Sequence, residues 1–297
     1  MIDFTKYPKT NKSFNGANGS KISIIYQNEK YMVKFPGGAK LNSNMSYSNS
    51  SISEYLGSHI LQTLGFETQQ TILGTYEINN QKKLVVACKD FAINGNTIQD
   101  FASIKNQIID SVRQGAGTEL ESILETIEKQ NIMPSNSLRN FFWDMFIADA
   151  FIGNWDRHNG NWGFLYNEQN DSIKLAPLWD AGSSLYPQAD EEIMKKVLTD
   201  KNELLVRIYE RPESAITING KKIRYFDFIK SNEYPDCTKA LKRILPKINL
   251  AVINKIIDET ECLNEIQKTF YKTILKERKE RILDQALEII TKKENEG

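Results

Sequence analysis

Two pairs of short strands are predicted in the first ninety or so residues. Lys21–Gln27 and Lys30–Phe35 are short strand-like runs, and Asn28-Glu29 between them is typical of a hairpin turn. Two further strands are predicted at Thr68–Ile78 and Lys82–Lys89, again with a short polar turn between them. This part of the chain is therefore expected to be rich in β-sheet.

One helix is predicted between these two hairpins. Apolar residues recur at helical spacing from about Ser51 to Leu64, and Gly65 is a natural stop. The run Ser51-Ile52-Ser53-Glu54 has the form of a capping box, in which side chains satisfy backbone N–H groups of the first turn. Glu54 is then either a capping residue or an ion-pair partner for a lysine on a neighbouring strand.

Helical periodicity dominates from about residue 100 onward. A long buried helix is predicted to open near Pro134 and to end before Gly153. Short strands follow near Trp162–Tyr166 and Ile173–Ala176, and another long helix is predicted from about residue 264 to residue 290. The second part of the chain is therefore expected to be mainly helical.

The order of these elements defines the expected fold class. We predict an α+β, two-lobed protein-kinase-like fold, with a strand-rich N-lobe at residues 1–92 and a mainly helical C-lobe at residues 93–297. The sequence contains no internal repeat and no low-complexity linker, so both lobes are expected in one compact unit.

Composition narrows the classes of partner. The 297 residues include 38 Lys plus Arg and 38 Asp plus Glu, and this balance gives no electrostatic reason to expect nucleic acid. The three cysteines, Cys88, Cys237 and Cys262, are far apart and odd in number, which fits a reducing compartment. The N-terminus lacks the apolar core of a signal peptide, and no apolar run reaches membrane-spanning length. A cytoplasmic protein is expected, and export would need a route other than a signal peptide.

The strongest chemical signal is the polar run Asn154–Asn161, between the predicted buried helix and the next strand. Asp156 and Asn161 have the separation of the catalytic aspartate and the metal-binding asparagine in protein-kinase catalytic loops. In such loops the aspartate sits beside the incoming hydroxyl, and the asparagine reaches a Mg²⁺ on the phosphates. The pattern predicts Asp156 as the base and Asn161 as a metal ligand. A plain turn with Asx hydrogen bonds is the alternative.

Two further residues extend this prediction. Asp180, in Leu178–Gly182, fits a variant of the kinase Asp-Phe-Gly element and is predicted as a second metal ligand. His158 lies two residues after Asp156, and a neutral imidazole could also accept the substrate proton. The sequence therefore leaves both Asp156 and His158 as candidates for the base.

Lys34 is the predicted phosphate-binding lysine. It lies on the second predicted strand among apolar neighbours, like the lysine of the kinase element Val-Ala-Ile-Lys. We expect it to hold the α- and β-phosphates of ATP, with Glu54 as its partner from the following helix. An outward-facing lysine on an alternating strand is the alternative interpretation.

The remaining nucleotide contacts are expected on two loops. Lys89 and Asp90 follow the last strand of the first lobe, where an adenine-reading hinge would fall. Only two glycines occur before the first strand, so the full G-x-G-x-x-G pattern is absent. The predicted phosphate loop consists of Gly16, Ala17, Asn18 and Gly19.

Taken together, these motifs resemble the HipA-like kinases of bacterial toxin–antitoxin systems. The resemblance runs from about residue 12 to the end, and within the family the chain is most similar to the short, stand-alone cell-translocating kinase type. The small extra N-terminal subdomain of full-length HipA proteins has no room here, which leaves an antitoxin partner open. The resemblance is carried by Ser13–Ala17, Val33–Pro36, Ser53–Tyr55, Asn154–Asn161 and Leu175–Asp180.

The resemblance implies a serine/threonine protein kinase that uses ATP and Mg²⁺. It implies Asp156 as base, Asn161 and Asp180 on the metal, and Lys34 on ATP. It also implies autophosphorylation in the phosphate loop, for which Ser13 matches best. The protein substrate and the oligomeric state are not identified by any motif.

Other functions fit parts of the pattern. Phosphoinositide kinases also carry Asp-Arg-His-x-x-Asn, but they need cations after the Asp-x-Gly element, and Ala181–Glu192 contains no Lys or Arg. Small-molecule phosphotransferases use similar loops and have no discriminator in a single sequence. The alternative from another class is a pseudokinase, a binding module with the fold and little catalysis.

Overall fold

The N-terminal part of the chain folds into one sheet with one helix packed on it. The structure, a computed structural model, describes residues 1–12, 21–37, 48–109 and 115–296. The strands of this sheet are β1 (Ile2–Asp3), β2 (Lys9–Thr10), β3 (Lys21–Tyr26), β4 (Glu29–Lys34), β5 (Thr71–Ile78) and β6 (Gln81–Lys89). Their spatial order is β1-β5-β6-β4-β3-β2, with β1 parallel to β5 and the other neighbours antiparallel. Helix α1 (Ser50–Thr63) packs against β5 and β6.

Periodicity predicted the four long strands and α1, and missed the two short strands. β3 to β6 occupy the predicted positions with small shifts at their ends, and α1 lies within one residue of its predicted bounds. β1 and β2 have two residues each, too few to show a period, and their partners are distant in the sequence. Phe4, in a 3₁₀ turn directly after β1, is fully buried in the core of this sheet.

The predicted capping box at the start of α1 is wrong. The N-cap residue is Asn49, and its side chain makes no capping hydrogen bond. Glu54 is buried, and its carboxylate accepts hydrogen bonds from Lys34 and from the backbone N–H of Ala181. A charge-assisted bond to an ammonium is stronger than a capping bond to a neutral N–H, so the tertiary partners prevail over the local one.

The rest of the chain is mainly helical and surrounds one central helix. Every residue from Met145 to Ile152 of this helix is buried. Gly153 ends it in the left-handed conformation, with φ 66°, so the chain turns directly into the polar run that follows. In chain order the helices after α1 are α2 (Phe101–Ile108), α3 (Leu120–Lys129), the central α4 (Ser135–Ile152), α5 (Glu191–Thr199), α6 (Lys201–Leu205), α7 (Tyr225–Ser231), α8 (Pro235–Ile244), α9 (Leu250–Glu259), α10 (Glu265–Arg278) and α11 (Gln285–Glu296).

Small sheets complete the second part of the chain. β7 (Asn96–Asp100), β8 (Gly163–Asn167) and β9 (Ser172–Leu175) form an antiparallel sheet with β8 in the centre. β10 (Thr217–Ile218) and β11 (Lys221–Lys222) form a hairpin. The predicted closing helix is present as α10 and α11, joined by a π-helical segment at Lys279–Asp284.

The distribution of elements confirms the predicted α+β class. β6 ends at Lys89 and β7 belongs to the second sheet, so the predicted boundary at residue 92 falls between two sheets. The division into domains at 1–92 and 93–297 stays a prediction. In the parts of the chain that the structure describes, no helix is both long and apolar enough to cross a membrane.

Candidate active site

Lys34 connects three separate segments of the chain. It ends β4, and its Nζ lies 3.0 Å from Glu54 Oε2 on α1 and 2.8 Å from Asp180 Oδ1 after β9. Burial by itself would lower the pKa of Lys34, but the two carboxylates outweigh it and hold this pKa well above its usual value. In return, the Lys34 charge lowers the pKa of Asp180. The sequence-based pairing of Lys34 with Glu54 is present in this geometry, with Asp180 as a second partner.

The segment that carries Asp180 is held closely against α1. A Cβ on Gly57 would lie 2.8 Å from the Cβ of Ala181, so this approach needs a glycine in the helix. Asp180 has φ 59°, in the left-handed region that aspartate tolerates better than bulky residues. Its side chain is 42% exposed, so the carboxylate is paired with Lys34 and still accessible to a ligand.

The loop after α4 brings Asp156 and Asn161 into contact. Asn161 Nδ2 donates to the backbone oxygen of Asp156 at 2.8 Å, which leaves the amide oxygen of Asn161 as the atom able to bind a cation. Burial raises the pKa of Asp156 above its ordinary value; nearby positive charges, His158 first, oppose this rise, while the charge of Asp180 adds to it. Asp156 and Asp180 are therefore close enough to interact.

His158 makes a hydrogen bond that restricts its chemistry. Its Nδ1 accepts from the backbone N–H of Gly160 at 3.0 Å. From this bond we infer that a neutral imidazole carries its proton on Nε2, where it is a donor and has no lone pair for a substrate proton. The geometry therefore favours Asp156 over His158 as a proton acceptor.

The predicted side chains at the end of β6 and directly after it, Lys89 and Asp90, have partners within the protein. Lys89 Nζ pairs with Glu29 Oε1 at 2.7 Å. The carboxylate of Asp90 accepts from Lys12 and, at 3.1 Å, from the backbone N–H of Ala92. Contacts of this segment with a nucleotide would then come from its main chain rather than from Lys89 or Asp90 side chains.

Five predicted residues lie outside the described part of the chain. They all belong to the segment before β3, at residues 13–20. They are Ser13, Gly16, Ala17, Asn18 and Gly19.

Sequence reasoning missed two buried residues around the loop after α4. Arg157 is about 4% exposed and forms an ion pair with Asp149, a fully enclosed residue of α4. Arg157 also donates to backbone oxygens on both sides of the site. An aspartate at the end of an apolar helix, followed by an arginine in the next loop, was the signal available in the sequence, because buried charges need partners.

A basic hairpin was missed as well. Lys222, on β11, is close enough for its charge to lower the pKa of Asp156. Glu119, before α3, fixes the hairpin by accepting from Thr217 Oγ1 at 2.9 Å and from Gly220 N–H at 3.1 Å. Lys222 lines a groove of about 400 Å³ together with Glu213, Ile223, Arg224, Asp227, Phe228, Ser231 and Glu233.

The oxygen donors of Asn161 and Asp180 fit a Mg²⁺ ion. Carboxylate and amide oxygens are hard ligands that Mg²⁺ accepts, and it is commonly bound by one or two protein groups together with phosphate oxygens and water. Across residues 1–12, 21–37, 48–109 and 115–296, no group of three or more His, Cys, Asp or Glu could hold a metal by itself.

This grouping of side chains is typical of protein-kinase-like phosphotransferases. The profile of the HipA-like C-terminal domain matches residues 12–264. The chain is also 47% identical, over 289 residues, to the serine/threonine-protein kinase CtkA of Helicobacter pylori strain J99, with 96% of this chain and 87% of that protein covered. The chain thus belongs to the HipA-like C-terminal domain family, and it is an enzyme of the serine/threonine-protein kinase class.

Solved structures agree with this assignment. The crystal structure of a proinflammatory kinase CtkA from Helicobacter pylori matches with a TM-score of 0.90 and 46% identity, covering 98% of both chains. HipA in a Shewanella oneidensis complex with HipB and operator DNA matches with a TM-score of 0.56 and 14% identity, covering 94% of this chain and 68% of that chain. The second match supports the fold alone. The predicted family and the predicted kinase-like fold are confirmed.

Replacing Glu54 with Gln tests the importance of the Lys34 pairing. Glutamine keeps the volume but removes the charge that holds Lys34, so we expect kcat/KM to fall at least about tenfold, or ~1.4 kcal/mol of transition-state stabilisation. Initial rates with labelled ATP provide the measurement. Glu259→Gln removes an exposed partner of Lys255 on α9 and serves as control, with an expected change below about twofold. A folded Glu54→Gln protein with the wild-type rate would contradict the expected role.

Proposed function

We propose that the chain transfers the γ-phosphoryl group of ATP, with Mg²⁺, to a serine or threonine hydroxyl of a protein. The observation that carries the proposal is the position of Lys34 between Glu54 and Asp180, within a family whose curated relative is a serine/threonine-protein kinase. A cytoplasmic location and the lack of a nucleic-acid partner stay predictions of the sequence.

In this proposal Lys34 holds the phosphates of ATP. An ammonium has three donors, so Lys34 can keep its two carboxylates and still reach a phosphate oxygen. Phe91, after β6, and Trp179, before Asp180, have ring centroids 5.9 Å apart, and both rings are partly exposed. These two aromatic residues are suited to contact the adenine, since a base can stack on an aromatic side chain through its π-face.

The metal-binding roles fall to Asn161 and Asp180. When bound, Mg²⁺ would neutralise phosphate charge and bridge phosphate oxygens. Asn161 would offer its amide oxygen, because the amide nitrogen is committed to the backbone of Asp156. Asp180 would offer the exposed part of its carboxylate.

We assign the role of the base to Asp156. Its raised pKa makes it a better proton acceptor than an exposed aspartate, because efficiency increases as the pKa approaches the working pH. His158 would shape the loop through its bond with the backbone N–H of Gly160.

Substitution of the two aspartates tests this assignment. We expect Asp156→Asn to reduce transfer by about 10²-fold or more, as is usual for a lost general base. We expect Asp180→Asn to reduce transfer as well, because it removes a carboxylate that would hold Mg²⁺ on the phosphates. Asp180→Asn should also weaken binding of Mg·ATP, whereas Asp156→Asn should not. Labelled ATP with a generic protein acceptor gives the rates, and calorimetry gives the affinities. Asp171→Asn, at an exposed turn with φ 49° that asparagine also adopts, is the matched control.

Two results would change the conclusion. If His158→Gln were more damaging than Asp156→Asn, the proton acceptor would have to be reassigned to the histidine. If the wild-type protein transferred no phosphate with any divalent metal, the pseudokinase alternative would replace the enzyme.

Autophosphorylation in the segment before β3 is a separate part of the proposal. It is supported by the resemblance of Ser13–Ala17 to the family's phosphate loop. After incubation with Mg·ATP, we expect phosphopeptide mapping to find phosphate on Ser13 in the wild type and none there in Asp156→Asn. A map without any modified residue in 1–20 would remove this part and leave transfer to other proteins unaffected.

A phosphoinositide acceptor is the second candidate, and the basic hairpin is the observation that favours it. Lys221, Lys222 and Arg224 are exposed, and Lys222 is near Asp156. The cations that an anionic head group needs are absent after Asp180, but the fold supplies others from a distant part of the sequence.

Competition between acceptors separates these two candidates. With a protein acceptor and phosphatidylinositol vesicles present together, we expect labelled phosphate on protein only. Lys222→Glu should then leave transfer to a neutral acceptor peptide within about threefold of wild type. Lys255→Glu, an exposed lysine of α9, controls for the change in net charge. The phosphoinositide function would be favoured if the wild type and Lys255→Glu labelled the lipid and Lys222→Glu did not.

A further inference from the structure

We propose that Arg157 is a positioning residue that sets the spacing of the two metal-binding segments, with Asp149 as its anchor. This inference rests on the proposed roles of Asn161 and Asp180 as Mg²⁺ ligands. Arg157 and Asp149 are both buried and bond each other.

One nitrogen of Arg157 contacts both metal-binding segments. Nη1 donates to the backbone oxygen of Asn161 at 2.8 Å and to the backbone oxygen of Trp179 at 2.6 Å. Asn161 is the first proposed metal ligand, and Trp179 directly precedes the second. The distance between the two ligands is therefore tied to the position of a single guanidinium group.

Asp149 holds this guanidinium from the other side. Arg157 Nε donates to Asp149 Oδ2 at 3.0 Å, and Nη2 lies 3.4 Å from Oδ1. Asp149 belongs to the part of α4, from Met145 to Ile152, in which every residue is buried. Asn154 Nδ2 also donates to Asp149 Oδ1 at 3.0 Å, which fixes the carboxylate. Through Arg157 and Asp149, the two metal-binding segments are connected by hydrogen bonds to the buried part of α4.

The chemistry of the pair argues against a role in stability alone. Transfer of two charges from water into the protein costs several kcal/mol per ion, and an apolar pair of similar volume is often as stable or more stable. What an apolar pair could not do is grip two carbonyl groups from different segments. The planar fork of arginine, with five donors, can bond a carboxylate on one edge and carbonyls on another, whereas a lysine ammonium cannot.

The test compares two buried arginines. Arg157→Lys keeps the charge and loses the fork, so we expect the Mg²⁺ concentration for half-maximal rate at saturating ATP to rise at least about fivefold. Arg278→Lys is the matched control, since Arg278 is fully buried and donates to the Ala150 backbone oxygen of α4 at 2.7 and 2.9 Å. It should lower the thermal unfolding midpoint and leave the Mg²⁺ requirement unchanged.

A binding measurement provides a second readout that needs no turnover. Mg²⁺ should increase the affinity of the wild type for a non-hydrolysable ATP analogue. The ratio of the affinities with and without Mg²⁺ should be at least about fivefold smaller in Arg157→Lys than in the wild type. Asp149→Asn should change both readouts in the same direction, and the double variant should show much less than the sum of the single effects, because the two side chains act as one unit.

Three outcomes are informative. A folded Arg157→Lys protein with a wild-type Mg²⁺ requirement overturns the inference and leaves the kinase proposal intact. If Arg157→Lys does not fold, Asp149→Asn decides in its place. A wild-type protein whose nucleotide affinity is independent of Mg²⁺ contradicts the proposed function itself, which distinguishes the two failures.

Discussion

The paired charge of Lys34 is the interaction on which the arrangement of the site depends. A buried ammonium is costly unless it is paired, and its two carboxylates come from α1 and from the segment after β9. The cluster therefore forms only when β4, α1 and that segment are all in place. The cluster links the first sheet to the second part of the chain. Because Gly57 has no side chain, α1 can approach Ala181 closely, which constrains the position of the segment with Asp180.

A second buried charge, Arg157, organises the other half of the site. Its partner Asp149 lies on α4 among residues that are all buried, so the loop after α4 is attached to the core of the second part of the chain. Gly153 ends α4 at the point where this loop begins. Lys34 thus connects the segment with Asp180 to the first sheet through an ion pair. Arg157 connects the same segment to the loop after α4 through hydrogen bonds.

Local patterns predicted elements well where they are long and periodic. β3 to β6, α1 and α4 all lie near their predicted positions, because burial of one face imposes a regular spacing of apolar residues. The capping box failed because Glu54 has two possible partners, and only the folded chain brings Lys34 near it. β1 and β2 were missed because two residues carry no period.

By itself, the sequence predicted the kinase class, because the spacing of Asp156, Asn161 and Asp180 is a local pattern of the kind found in kinase catalytic loops. The family of the protein was also predicted from local motifs, and the match to the family profile and the similarity to CtkA confirm it. Only the tertiary structure decided which charges meet. It paired Lys34 with both Glu54 and Asp180, enclosed Arg157 against Asp149, and placed Lys222 near Asp156. Lys34 and Asp180 are distant in the chain, as are Lys222 and Asp156, so no local spacing records these two pairs. Asp149 and Arg157 are close in the chain, and only their burial, which the folded chain decides, makes them partners.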